Sequence, residues 1–179
     1  LIEDSQFNIA AELMREVQDR FAKSIESAIV SGSGSNQPTG LFNATPTSAS
    51  DDASPQRAAG ALQYIATGVS GGLGHQPNSS PIRYGDDRLL EALFSLRPEY
   101  RANATWLMAS ATLAQVRRFK TADGAPIWTP TMGDAQDQGD GMLLGRPVVC
   151  CESMPAIGAN AHPILIGDLA RAYELVEIH

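Results

Sequence analysis

The stretch that decides the fold is Gly32-Ser33-Gly34-Ser35-Asn36-Gln37-Pro38-Thr39-Gly40-Leu41-Phe42. It follows a long amphipathic segment and is built from residues that cannot continue a helix. Gly32 and Gly34 tolerate positive φ, and Pro38 has no backbone N–H to donate. A glycine-rich junction of this kind invites a nucleotide-loop reading, but the chemistry opposes it. A phosphate loop needs two glycines five apart, then Lys and a hydroxyl residue, entering a helix from a strand. Here Leu41 follows Gly40, so no ammonium is supplied. The loop also leaves a helix, so it sits at the negative end of the helix dipole, where phosphate is repelled. The dinucleotide fingerprint fails as well, because Gln37 stands where the third glycine belongs. A helix stop followed by a rigid turn remains.

Upstream, Phe7, Ala10, Met14, Val17, Phe21, Ile25, Ala28 and Ile29 follow steps of three and four. That spacing predicts one helix over residues 5–30 with a single apolar stripe. Asp4 or Ser5 suits its N-cap, and Glu16–Arg20 and Asp19–Lys23 are i,i+4 pairs on its polar side. At about 1.5 Å per residue, about 26 residues make a rod of about 39 Å. Such a rod is expected to lie across a sheet or along a neighbouring subunit.

Downstream, residues 43–52 are rich in Ser, Thr, Ala and Pro and read as irregular or weakly paired. Ser54-Pro55 reads as a cap for a short helix through Ala58, Leu62, Ile65 and Ala66, stopped at Gly68. Residues 69–83 hold three glycines and two prolines, the composition of a mobile surface loop. A third helix is expected over 86–96, closed by Pro98. A strand follows over 105–109, then a helix capped by Ser110 that carries Leu113, Val116 and Phe119. Ala122-Asp123-Gly124 signals a hairpin, with Ile127-Trp128 on the returning strand. Residues 131–141 read as a second mobile loop. Residues 143–151 read as one buried strand interrupted by Gly145 and Pro147, the latter marking an edge or bulge. Strands over 164–166 and 172–178, separated by a Gly167-Asp168 turn, complete an α+β pattern without βαβ alternation. The chain opens on a helix and stops inside an expected strand, as a fragment of a longer polypeptide would.

Composition narrows the function. The 179 residues suit one domain, and 43% hydrophobic content supports a real core. The formal charge of −7 argues against nucleic-acid surfaces and anionic membranes. No apolar run approaches the roughly 20 residues that span a bilayer, and no signal peptide is evident. The adjacent Cys150 and Cys151 do not form a disulfide framework, which points to a reducing interior. Three Asn-x-Ser/Thr sequons, at Asn43, Asn78 and Asn103, have no secretory context.

Catalytic constellations are sparse. Cys150 or Cys151, His162 and Asp168 supply the residue types of a cysteine hydrolase. The cysteines follow Val148-Val149, however, and burial in an apolar run blunts a thiol. The three histidines, including His75 and His179, and the two cysteines show no metal spacing, and no cofactor is expected. Glu91, Asp123, Asp140 and Glu152 show no acid–base context. Trp106 and Trp128 read as core or interface anchors.

The order of motifs is more specific than any site. After the helix and Gly32-x-Gly34-x-x-x-Pro38-x-Gly40-Leu41 come Tyr100-Arg-Ala-Asn-Ala-Thr-Trp-Leu-Met108 and Thr112-Leu-Ala-Gln-Val-Arg-Arg-Phe-Lys120. Then follow Asp123-Gly124, Leu144-Gly-Arg-Pro-Val-Val149, Met154-Pro155, and Gly167-Asp168 with Tyr173. Over nearly its whole length the chain resembles the major capsid proteins of tailed bacteriophages and prophages, the Hong Kong 97-type family. The resemblance implies that residues 1–40 are the spine helix and hinge of a peripheral domain. Gly32, Gly34, Pro38 and Gly40 form that hinge, and residues 41–179 form an axial domain. It implies a structural, non-enzymatic protein that assembles with itself into pentamers and hexamers and encloses a phage genome in the virion. Scaffold, protease and portal proteins would be partners during assembly in the host cytoplasm. The family's N-terminal arm and extended loop have no counterpart here, so the isolated chain is expected to be a monomer or weak oligomer. An encapsulin-like compartment shell is the alternative on the same fold. A cysteine hydrolase using Cys150 or Cys151 with His162 is the alternative of another class.

Overall fold

The computed structural model describes residues 9–54, 56–58, 60–128 and 141–174. The chain divides into two compact units, Leu1–Asn43 and Ala44–His179.

In the first unit, α1 spans Ile9–Ser31. The expected ion pair forms, with Arg20 Nε 2.9 Å from Glu16. Ile9, Leu13, Val17, Phe21 and Ile25 repeat every fourth residue and are exposed, so they form one ridge winding along the helix. Beyond Ser31 the chain folds back on the last helical turn. Gly40 N–H donates to Gly32 O at 2.8 Å, Leu41 N–H to Ile29 O at 2.8 Å, and Phe42 N–H to Val30 O at 3.1 Å. The last carbonyls of a helix have no partner within it, and these bonds supply partners for two of them. The junction is therefore a closed capping loop.

In the second unit, α2 spans Gly85–Ser95, α3 Pro98–Arg101, β1 Thr105–Met108 and α4 Ser110–Arg117. Then come β2 (Met142–Leu143), β3 (Arg146–Cys150), β4 (Ile164–Gly167) and α5 (Leu169–Ala172). The four strands form one mixed sheet in the order β2-β3-β1-β4. β1 runs parallel to β3 and antiparallel to β4, and β2 is antiparallel to β3. Trp106 faces Val148 across the central pair, and Met108 follows two residues on, the strand period. These three side chains share a core with Leu89 and Leu93 of α2 and Leu113 and Val116 of α4. The helical and strand periodicities thus converge on one buried layer.

Several expectations change. Residues 60–66 are not helical. Gly60 has φ +81°, which breaks a helix, and Thr47 bridges Gln63 in parallel. Thr47 N–H donates to Leu62 O, and Tyr64 N–H donates to Thr47 O, both at 2.9 Å. The Arg57 guanidinium pairs with Asp51 and holds this extended path. Pro98 does not simply close α2; it opens α3 at a position where its missing N–H costs nothing. Ser110 is the first residue of α4 rather than its cap, and Glu152 receives its N–H at 3.2 Å. Residues 120–126 form the expected tight turn, closed by the Lys120–Pro126 bridge and by Ile127 N–H donating to Phe119 O at 3.0 Å, but Ile127 and Trp128 are not in a strand. The strand expected over 172–178 does not start at Ala172, which ends α5 (Leu169–Ala172), and Tyr173 and Glu174 are not in a strand; the rest of it, from 175, lies outside the described residues, as does 131–140. Where composition points to a mobile loop at 69–83, the structure has a hydrogen-bonded one. Gln76 and Arg83 exchange backbone bonds of 2.7 and 3.1 Å.

The expected single strand over 143–151 is a hairpin. Leu144 (φ +51°) and Gly145 (φ +74°) form its two-residue turn, with positive φ at both positions as a type I′ turn requires. Asn-Gly is favoured there, and leucine is strained. Leu144→Asn is expected to raise the unfolding free energy by about 1 kcal/mol, read as a higher urea midpoint with unchanged slope.

Candidate functional site

The capping loop is held by close backbone approaches. A Cβ on Gly32 would stand 2.1 Å from Pro38 O, and one on Gly40 would stand 2.4 Å from Gly32 N. Both positions exclude any side chain. Gly34 has φ +78°, and across the loop Ser33 bridges Thr39. Gln37 donates its side-chain amide to Ser33 Oγ at 2.9 Å. Nothing in the loop presents N–H groups at a helix N-terminus; it closes the C-terminal end of α1.

The residues of the hydrolase alternative occupy packing positions. Cys150 ends β3, and Cys151 is buried with its N–H bonded to Met108 O at 3.0 Å. The His162 ring lies 5.7 Å from the Tyr64 ring, and the buried Asp168 carboxylate lies 3.8 Å from Arg171 Nε. Glu91 pairs with Arg88 at 2.5 Å, Glu152 holds the start of α4, and Asp123 sits in the 120–126 turn. Asp140 lies outside the described residues. Among the described residues no cluster of three or more His, Cys, Asp or Glu is placed to hold a metal ion. No described helix is long and apolar enough to cross a membrane.

Trp106 is a core residue, fully buried, and donates Nε1–H to Leu143 O at 2.9 Å. Trp128 lies under the Arg117 guanidinium, 5.1 Å from its ring centroid. His75 has a role that no local pattern announces. Its ring stacks on Phe119 at 4.3 Å, Nε2 lies 2.7 Å from Lys120 O, and Nδ1 accepts from Gly85 N–H at 3.2 Å. It ties the 69–83 loop to both α2 and the turn after α4.

Two surface features of the second unit remain. Between α2, α4 and the β2–β3 turn lies an apolar groove of about 290 Å³, with Phe119 and Trp128 in its walls and Asp86 as its charged member. On another side of α2, Leu90 and Phe94 are exposed one turn apart. The Arg101 guanidinium covers one face of Phe94 at 4.4 Å.

A sequence model of the phage capsid family matches residues 1–178. The chain belongs to the phage capsid family. Among solved structures, it matches the capsid of an empty GTA particle computed with C5 symmetry. Identity is 34% over 93% of this chain and 52% of that one, with a TM-score of 0.73. The capsid of the native GTA particle matches with 34% identity over 94% of this chain and 52% of that one, also with a TM-score of 0.73. No curated protein matches the sequence. The chain thus spans about half the length of the solved capsid chains it matches, 52% in each case. The α+β fold read from the sequence is that of these capsids, and the place of such a chain is the virion shell.

Proposed function

We propose that this phage-capsid-family chain is a structural unit that assembles with copies of itself into a closed shell around a genome, without catalysis. One observation carries the reading: 34% identity and a TM-score of 0.73 to a particle capsid over 93% of the chain. We further propose that residues 1–40 act as spine helix and hinge and residues 41–179 as the axial domain. In this reading Gly32, Gly34, Pro38 and Gly40 aim the chain from one into the other. The exposed Ile9–Ile25 ridge of α1 then serves as a packing face within the shell, since a stripe of large apolar side chains is costly to leave in water. A net charge of −7 suits a wall past which packaged DNA must slide. Scaffold, protease and portal proteins would meet the shell only during assembly.

Electron microscopy of the expressed capsid protein tests the proposal. Closed icosahedral particles are expected; a monomer at high concentration would overturn it. Cys150 and Cys151 are expected to react slowly with a thiol probe at neutral pH. Rapid labelling of the native protein would reopen cysteine chemistry.

A further inference from the structure

We propose that the groove between α2, α4 and the β2–β3 turn receives the Leu90–Phe94 ridge of a second copy of this chain. The inference rests on the shell reading above and names the surfaces that meet.

The groove is shaped to take an apolar ridge. Ile127, Met142 and Leu144 are 39%, 61% and 43% exposed at its rim. Leu144 is the informative member, because a strained turn position holds a large apolar side chain in water where Asn would sit at ease. A strained residue kept on a surface points from the outlier to a use. Asp86 lies in the groove wall; its Oδ1 is buried and has no hydrogen-bond partner among the described residues. His75 Nδ1 lies 3.7 Å from that oxygen.

The ridge is the complement. Leu90 and Phe94 are 44% and 59% exposed. Arg101 lies over Phe94 and is fixed there by the carbonyls of Phe94 (3.3 Å) and Leu96 (2.8 Å). Aromatic residues and arginine are both enriched at protein interfaces. The charge of Arg101 is opposite to that of Asp86, whose side chain is 35% exposed in the groove wall. The ridge does not fill the groove of its own chain. Leu89, which lines the groove, and Leu90 point about 100° apart around α2. Two different patches therefore meet, a head-to-tail contact that propagates into rings rather than stopping at a dimer.

The test uses Phe94→Glu, Leu144→Lys and the double variant in the assembling capsid protein. All the altered side chains are exposed, and unchanged circular dichroism and melting temperature verify the fold. Each single variant is expected to cut particle yield by about tenfold or more. The double variant, with Glu opposite Lys at every contact, is expected to recover much of it. Leu144→Asn is expected to lose particles although its fold is more stable, which separates the contact from a merely structural role. Single variants that assemble like the parent, or a double variant no better than either single, would overturn the interface and leave the shell reading intact. A parent that forms no particles overturns both.

Discussion

Trp106→Ala is expected to lower the unfolding free energy of the Ala44–His179 unit by about 4 kcal/mol. Trp106 has no exposed surface, lies in β1 and shares the core with Leu89 and Leu93 of α2 and Leu113 and Val116 of α4. Truncation removes the largest fully buried side chain among the described residues and opens a cavity that a central strand cannot collapse to fill. It also deprives Leu143 O of its indole donor, a side-chain bond from β1 to β2, a strand with which β1 does not pair directly. Domains carry only about 5–15 kcal/mol of net stability, so the variant stands near the unfolding threshold. Trp106→Phe separates the two effects. It keeps most of the volume, loses the hydrogen bond, and is expected to cost about 2 kcal/mol. Urea unfolding followed by circular dichroism measures both. A loss under about 1 kcal/mol for the alanine variant would contradict the packing account.

Gly40→Ala is expected to open the capping loop at a cost of about 3 kcal/mol. The added Cβ would stand 2.4 Å from Gly32 N and 2.8 Å from Ser31 N and C. All three are backbone atoms, so no side chain can swing aside. The chain must withdraw, and with it go the bonds from Gly40, Leu41 and Phe42 to the end of α1. Hydrogen exchange reads this directly: the Leu41 and Phe42 amides are expected to lose protection and the last turn of α1 to fray. Gly34→Ala is the comparison. Its Cβ would meet mainly the Thr39 hydroxyl at 2.7 Å, a side chain that can turn, and its φ of +78° costs about 1 kcal/mol. Equal effects at the two positions would show that close backbone approach is not what makes Gly40 necessary.

Much of this was legible in advance because the signals are local. The i,i+4 rows of α1 and α2 place their apolar faces within single turns, and each helix lies within a few residues of where its pattern predicts. The helix stop at Gly32 is written in the glycines themselves. The errors share one cause. Ala58, Leu62, Ile65 and Ala66 have helical spacing, yet Thr47 captures the backbone on either side of Gln63 as a strand partner. Residues 143–151 read as one strand because Leu144-Gly145 is not the usual turn dipeptide. The hairpin forms because β3 pairs with β1 and carries β2 on its other edge. As for site residues, the histidine and cysteines singled out by type sit in packing positions. The contacts of His75 had no signal, since its partner Lys120 is 45 residues away.

The sequence by itself determined the long helix, its glycine stop, the α+β class and the likeness to phage capsids. Periodicity, missing side chains and motif order act over short spans or survive as a linear pattern. Tertiary structure alone decided that the junction closes into a cap. It also decided that Trp106 bonds across 37 residues to Leu143, and that a groove and a cationic ridge occupy different sides of one unit. Such features depend on which surfaces meet once the chain is packed, and a carbonyl, a ring or an exposed leucine acquires its partner only then.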